Sequence, residues 1–264
     1  MLVVIENDYD ALSREAARIA ANALRTKPHL VLGLATGSTP IGFYRELVRL
    51  HRQERLDLSN AVTFNLDEYL GLPAAHPHSF HTYMRQKFFD YVNVKPENIH
   101  IPDGTVRANH DAYCEEYEAA IRAAGGIDLQ ILGIGKDGHI GFNEPTSSLA
   151  SRTRPKTLTR ETLEANRAHF AKNEAQPRAA ITMGIGTILD ARKILLLGSG
   201  KEKARAVALA VEGPITSSVS ASALQLHRDA TVLVDREAAA DLKHREYYEN
   251  VLAMTRELTP ERLW

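Results

Sequence analysis

Short aliphatic runs alternate with longer amphipathic stretches along nearly the whole chain, and this rhythm limits the folds open to it. "LVVIE" precedes "DYDALSREAARIAANALR", where Leu12, Ala16, Ile19, Ala20 and Ala23 share one helical face. "HLVLGLA" precedes "PIGFYRELVRLHRQ", and "AVTFNLD" precedes "SFHTYMRQKFFDYV". "IDLQILGIG", "AAITMGI", "KILLLGSG" and "ATVLVD" continue the series. Runs without polar alternation read as strands buried on both faces, which is the mark of a parallel sheet. The reading is an α/β chain, Rossmann-like and doubly wound, with a mostly parallel sheet and helices on both faces.

The 264 residues suit one large α/β domain spanning 1–264, and no linker, repeat or low-complexity segment divides them. One segment breaks the rhythm. Residues 147–179, "SSLASRTRPKTLTRETLEANRAHFAKNEAQPRA" and its flank, are polar and poor in strand signal, and are expected to form a lid insertion. Lys plus Arg number 32 against 33 Asp plus Glu, so nucleic acid and membrane surfaces are not expected partners. The single cysteine, Cys114, excludes an internal disulfide. The opening "MLVVIENDYD" lacks the charge pattern of a secretory leader, and no run approaches the ~20 apolar residues of a membrane span, so a cytoplasmic location is expected.

In open α/β sheets ligands bind where strands end at their carboxyl edges, so the loops after each strand carry the information. "TGSTP" follows the second run. Gly37 lets the backbone turn its N–H groups outward, Ser38 and Thr39 add hydroxyls, and Pro40 suits a first helical turn. The loop reads either as a plain helix cap or as a phosphate seat at a helix N-terminus. It is neither a P-loop nor a dinucleotide fingerprint. "LDEYLGLP" places Asp67 and Glu68 at a strand end, as turn acids or helix caps, or as a proton acceptor if a phosphate lies nearby. "HPHSFHTYM" gathers His76, His78 and His81, but Pro77 splits the first pair and no carboxylate has ligand spacing, so no metal is expected there.

"GIGKDGHIGFNEP" is chemically the richest loop. Its glycines permit close backbone approach, and His139 stands between Asp137 and Glu144. A histidine set between carboxylates can be oriented by one and tuned by both, and it titrates near neutral pH. Such a group moves protons. Last, "LLLGSGKEKA" turns on glycines and opens a helix at Lys201, either a solvated lysine or a point charge for a phosphate. The parts needed are acid/base groups and an anion seat; no cofactor, metal or redox centre is called for. Serine hydrolysis lacks a nucleophile-elbow context.

Taken together, "LGLATGSTP", "VTFNLDEYLGL", "GIGKDGHIGFNEP", "SSLASRTR" and "ALQLH" resemble the glucosamine-6-phosphate deaminase family, in the same order from about Leu2 to Asp235. The resemblance implies conversion of glucosamine 6-phosphate and water to fructose 6-phosphate and ammonia. It implies that Asp67 is the proton acceptor in enolisation and that Asp137, His139 and Glu144 open the sugar ring. It places the substrate phosphate on Gly37, Ser38, Thr39 and Lys201. Some relatives are homo-oligomers, hexameric in some cases, and are activated by N-acetylglucosamine 6-phosphate. The matching residues here are Ser147, Arg154 and Lys156.

One departure stands out. The family's lid often reads N-x-R-x-F, with the arginine reaching the phosphate. Here Asn166 and Phe170 keep their places, Ala168 takes the arginine position, and Arg167 sits one residue early. On a helix that shift turns a side chain by about 100°. The nearest alternative is a 6-phosphogluconolactonase, which shares the fold; those enzymes typically read D-E-R where this chain has Asp67-Glu68-Tyr69, and S-L-F-P where it has "FNEP". A non-catalytic sugar-phosphate sensor would predict a DNA-binding segment and a decayed acid/base set, and neither is seen.

Overall fold

In the computed structural model, which describes residues 1–167, 170 and 174–258, the strands form as short as the apolar runs that encode them. β1 (Leu2–Glu6), β2 (Val31–Leu34), β3 (Val62–Asn65), β5 (Ile99–His100), β6 (Leu129–Gly133), β9 (Lys193–Gly198) and β10 (Ala230–Asp235) make a seven-stranded sheet in the order β1-β10-β9-β6-β2-β3-β5. Every pairing in it is parallel. β4 (Asp67–Tyr69), β7 (Arg154–Thr157) and β8 (Ala179–Thr182) form a separate antiparallel sheet in the order β4-β8-β7.

Alternating residues of the large sheet feed two cores. Val3, Leu132, Ile194, Leu196, Val232 and Val234 point to one face. There they meet Tyr117 and Ile121 of α4 (His110–Ala123), Ile188 of α6 (Ile185–Leu189) and Val207 of α7 (Ala204–Glu212). Val4, Leu32, Leu34, Ile131, Leu195 and Leu233 point to the other face. Their partners are Leu12 and Ile19 of α1 (Tyr9–Thr26), Phe43, Tyr44 and Leu47 of α2 (Ile41–Glu54), and Met84 of α3 (Phe80–Lys87). Burying each such side chain contributes about 1.5–3 kcal/mol relative to leaving it in water, so both faces must be covered and the chain winds in both directions. α1 begins at Asp8, whose carboxylate accepts from the Ala11 N–H at 2.7 Å.

The sequence reading differs from this sheet at one member. "AAITMGI" is the antiparallel β8 and not a strand of the parallel sheet, whose seventh member is the two-residue β5 at its edge. The polar segment after the DGHIG loop also contains strand β7, "RPKT", where none was expected. β7 pairs on one side only, and an edge strand tolerates Pro155 because its missing N–H can face away from the ladder. α5 (Arg160–Asn166) follows, and α8 (Arg245–Leu258) packs near β1.

The topology also locates a crevice. β2 and β6 are neighbours, yet the chain leaves β2 toward β3 and leaves β6 toward β9, in opposite directions across the sheet. Loops that diverge at such a switch point leave a cleft at the carboxyl edge. The two loops there are "TGSTP" and "GIGKDGHIGFNEP".

Candidate active site

The loop after β6 turns sharply back over itself. The Gly135 N–H donates to the His139 carbonyl and the Gly138 N–H to the Gly135 carbonyl, closing a tight turn with His139 at its end. The imidazole lies so close over Gly135 that a Cβ there would fall 2.4 Å from its Cε1, so only glycine fits beneath the ring. His139 Nδ1 is 2.7 Å from Asp137 Oδ1 and 3.6 Å from Glu144 Oε2. Both Nδ1 and Glu144 Oε2 are buried, and no protein group beyond this cluster pairs with either among the described residues. Burial pushes the Asp137 pKa up, but the hydrogen bonds and charge of His139 outweigh it and hold the carboxyl below its ordinary range. The donor atoms of Asp137, His139 and Glu144 lie within 4.8 Å of one another, close enough to hold a cation as well as to pass a proton.

Asp67 and Glu68 are adjacent in β4 and therefore point to opposite sides. Glu68, fully buried, accepts from the N–H groups of Phe80 and His81, 3.0 and 3.1 Å away, at the start of α3; His81 Nδ1 lies 3.0 Å from the same carboxylate. It is a helix cap. Asp67 faces the crevice. A methyl placed on Gly141, whose φ of +55° suits glycine, would stand 3.5 Å from Asp67 Oδ2. The carboxylate thus reaches the loop two residues beyond His139. Burial first, and the charge of Glu68 second, push the Asp67 pKa up to about 8.

The seat after β2 is held from below. The Tyr83 hydroxyl donates to the Gly37 carbonyl at 2.6 Å, and the Tyr9 hydroxyl donates to the Thr39 carbonyl at 3.0 Å while accepting from the Gly42 N–H at 2.7 Å. With its carbonyls so engaged, the loop leaves the N–H groups of Gly37, Ser38 and Thr39 without protein acceptors among the described residues, at the N-terminus of α2. That is the arrangement of an anion seat.

After β9 the chain turns at Gly200, and a short 3-10 turn, Lys201–Lys203, precedes α7. Lys201 is exposed, whereas Lys203 is half-buried at the N-cap of α7. Burial pushes the Lys203 pKa down against the charge of Glu202, which raises it; Lys136 lowers it and Asp137 raises it, so Lys203 lies near enough to the turn that carries His139 to feel its charges. Lys201, the lysine the sequence offers, opens the 3-10 turn and not α7 itself.

The remaining candidates are placed as follows. Ser147 is buried and donates to the Glu144 carbonyl at 2.7 Å. Arg154 of β7 donates to Asn143 Oδ1 at 2.8 Å, and Lys156 lies half-exposed on the same strand. Arg167 is exposed and donates to the Glu174 carbonyl at 3.1 Å. Ala168 lies outside the described residues. His76 and His78 do not converge with His81; their Nε2 atoms lie 3.0 and 3.8 Å from the two oxygens of Glu174.

A family model described as glucosamine-6-phosphate isomerases/6-phosphogluconolactonase matches residues 6–233. The chain is 51% identical over 255 residues to a glucosamine-6-phosphate deaminase of Hahella chejuensis, covering 97% of each. It is 49% identical over 251 residues to one of Cellvibrio japonicus, covering 95% of each. The solved structure of a monomeric glucosamine-6-phosphate deaminase superposes with a TM-score of 0.88 at 49% identity, over 91% of this chain and all of that one. A 6-phosphogluconolactonase of Leishmania guyanensis shares the fold at TM-score 0.71 but only 19% identity, over 90% of this chain and 97% of that one.

Proposed function

The chain belongs to the family of glucosamine-6-phosphate isomerases and 6-phosphogluconolactonases, and from that premise we propose that it is a glucosamine-6-phosphate deaminase, converting glucosamine 6-phosphate and water to fructose 6-phosphate and ammonia. The observation that carries the reading is the approach of Asp67 to Gly141, which puts a buried carboxylate on the same turn as His139. A lactone hydrolase needs no second proton acceptor at a carbon, whereas an aldose–ketose shift does.

The division of labour follows from the chemistry. The C2 hydrogen becomes acidic only beside a carbonyl, so the closed sugar opens first. His139, held by Asp137 with Glu144 behind it, takes the proton of the anomeric hydroxyl and returns one to the ring oxygen. Asp67 then removes the C2 proton and delivers it to C1 through an enolamine. Its pKa of about 8 suits a base working near neutral pH, since enough of it is ionised and it holds the proton firmly enough to pass it on. Water adds to the resulting ketimine at C2, and ammonia leaves. The phosphate rests on the N–H groups and hydroxyls of Gly37, Ser38 and Thr39, with Lys203 as its cation and Lys201 further out. We place the lid at 147–179 within a single 1–264 domain, with Arg167 exposed on it, and the site cytoplasmic. We also propose that Ser147, Arg154 and Lys156 hold a second sugar phosphate, which would act on the catalytic loop through the Ser147–Glu144 and Arg154–Asn143 hydrogen bonds.

A coupled assay for fructose 6-phosphate tests the reading. Turnover of glucosamine 6-phosphate with release of one ammonia per ketose is expected; hydrolysis of 6-phosphogluconolactone with no deamination would overturn it.

A further inference from the structure

The loop that carries His139 and Glu144 is gripped from outside by a segment with no part in the proton transfers. Residues 216–222 close on themselves: Ser222 Oγ accepts from the Thr216 N–H at 2.9 Å and donates to the Thr216 carbonyl at 3.1 Å. This small clasp meets the catalytic loop along its length. The Ala221 N–H donates to the Gly138 carbonyl at 2.9 Å, and the Thr146 N–H donates to the Ser217 carbonyl at 2.8 Å. Val219 packs so closely on Gly138 that a Cβ there would fall 2.5 Å from Val219 Cγ1.

One side chain of this segment adds a bridge across the loop's reactive part, where the Asn143 N–H and Nδ2 already donate to the Ile140 carbonyl at 3.2 and 2.9 Å. Ser220, 1% exposed, donates from Oγ to the Asn143 carbonyl at 2.9 Å and accepts from the Ile140 N–H at 3.2 Å. Ile140 follows His139 and Asn143 precedes Glu144, so one hydroxyl ties the backbone on the imidazole side to the backbone on the carboxylate side. We infer that Ser220 is a positioning residue that sets the separation of His139 from Glu144, an inference resting on the deaminase reading above. The hydroxyl suits this task because it is at once donor and acceptor, and the two backbone groups it joins are one of each. An alanine would leave a buried N–H and a buried carbonyl unpaired, with only the Asn143 bonds to the Ile140 carbonyl left to fix the span. Misplacement of reacting groups by about 1 Å can lower a rate by about a hundredfold.

The test compares Ser220→Ala and Ser220→Thr with the wild-type enzyme. Ser220→Ala is expected to lower kcat about tenfold or more while KM stays within about twofold, because the phosphate seat after β2 is untouched. Exchange of the Ile140 amide should quicken in the same variant while the β9 and β10 amides keep their protection. Ser220→Thr, which retains the hydroxyl, should restore both kcat and Ile140 protection. A folded Ser220→Ala with wild-type kcat would overturn the inference, as would a folded Ser220→Thr with kcat reduced about tenfold; should the alanine variant not fold, the threonine variant decides alone. If the wild-type protein releases no ammonia, the deaminase reading falls instead, and the Ile140 exchange still tells whether the hydroxyl holds the loop.

Discussion

Asp67 and Glu68 show how much one residue of strand register decides. The two-residue period of β4 sends Glu68 to the start of α3, where helix N–H groups satisfy it, and leaves Asp67 buried with no such partner. The cost falls on stability, and its sign can be worked out. With a folded-state pKa near 8 against 3.8 for the free acid, the native protein binds a proton that the unfolded chain has lost between these values. Stability from this residue is therefore present below pH 4 and declines as the pH rises through 8. Asp67→Asn should abolish turnover while leaving substrate binding within about twofold. In melts between pH 5 and 8.5 the variant should also gain on the wild-type protein as pH rises, by several degrees at the alkaline end, since about 1 kcal/mol moves the melting point by 2–4 °C in a chain of this size. A variant with near-normal kcat would remove Asp67 from the mechanism.

At the scale of elements, what the sequence conveyed follows from what each element buries. The strands of the parallel sheet are coated on both faces and announce themselves as apolar runs, so the fold class was readable. β7 and β4 are the two edges of a three-stranded antiparallel sheet, their signal is a few polar residues and a proline, and they become strands only because β8 pairs with both. The same limit applies after β9: the 3-10 turn between Gly200 and Ala204 leaves no periodic trace in three residues, so α7 opens three residues later than the sequence suggests. Ser220 and its clasp were not legible either, because their role is defined by distances across 77 and 80 residues of chain. The small sheet is not ornamental. Tyr69, Leu72, Phe142, Leu158, Phe170 and Ala180 form a third apolar cluster that seats the segment after β7 against the catalytic loop. Phe170 stacks edge-on to Tyr69, with centroids 6.2 Å apart, and lies 4.9 Å from His78. Phe170→Ala should loosen that seat, costing about 3–5 kcal/mol at most and less where the segment settles. Steady-state kinetics should show KM raised severalfold, with a smaller change in kcat; an unchanged KM would mean that the segment does not close on substrate.

At the scale of the whole molecule, the chain carries a net charge of −1, yet its sheet topology gathers cations at one edge. β2, β6 and β9 are near neighbours in the sheet, so the seat at Gly37, the turn bearing Lys136 and the helix start bearing Lys203 all open at the same carboxyl ends. An anion there meets free N–H groups from one loop and ammonium groups from the other two, without any excess of basic residues in the composition. Burial pushes the half-buried Lys203 toward its neutral form, Glu202 and Asp137 counter it and Lys136 adds to it, so a further negative charge would favour the ammonium. Lys201 stands in solvent, where an ion pair contributes about 0–1 kcal/mol and is screened by salt. Inorganic phosphate should therefore inhibit competitively with glucosamine 6-phosphate. Lys203→Met should weaken that inhibition about tenfold or more, and raise KM in parallel, while Lys201→Met changes either by less than about threefold. The two inhibition constants, measured side by side at fixed ionic strength, decide between them: the reverse ranking would return the phosphate to Lys201 and would mean that the turn after β9 opens differently when substrate binds.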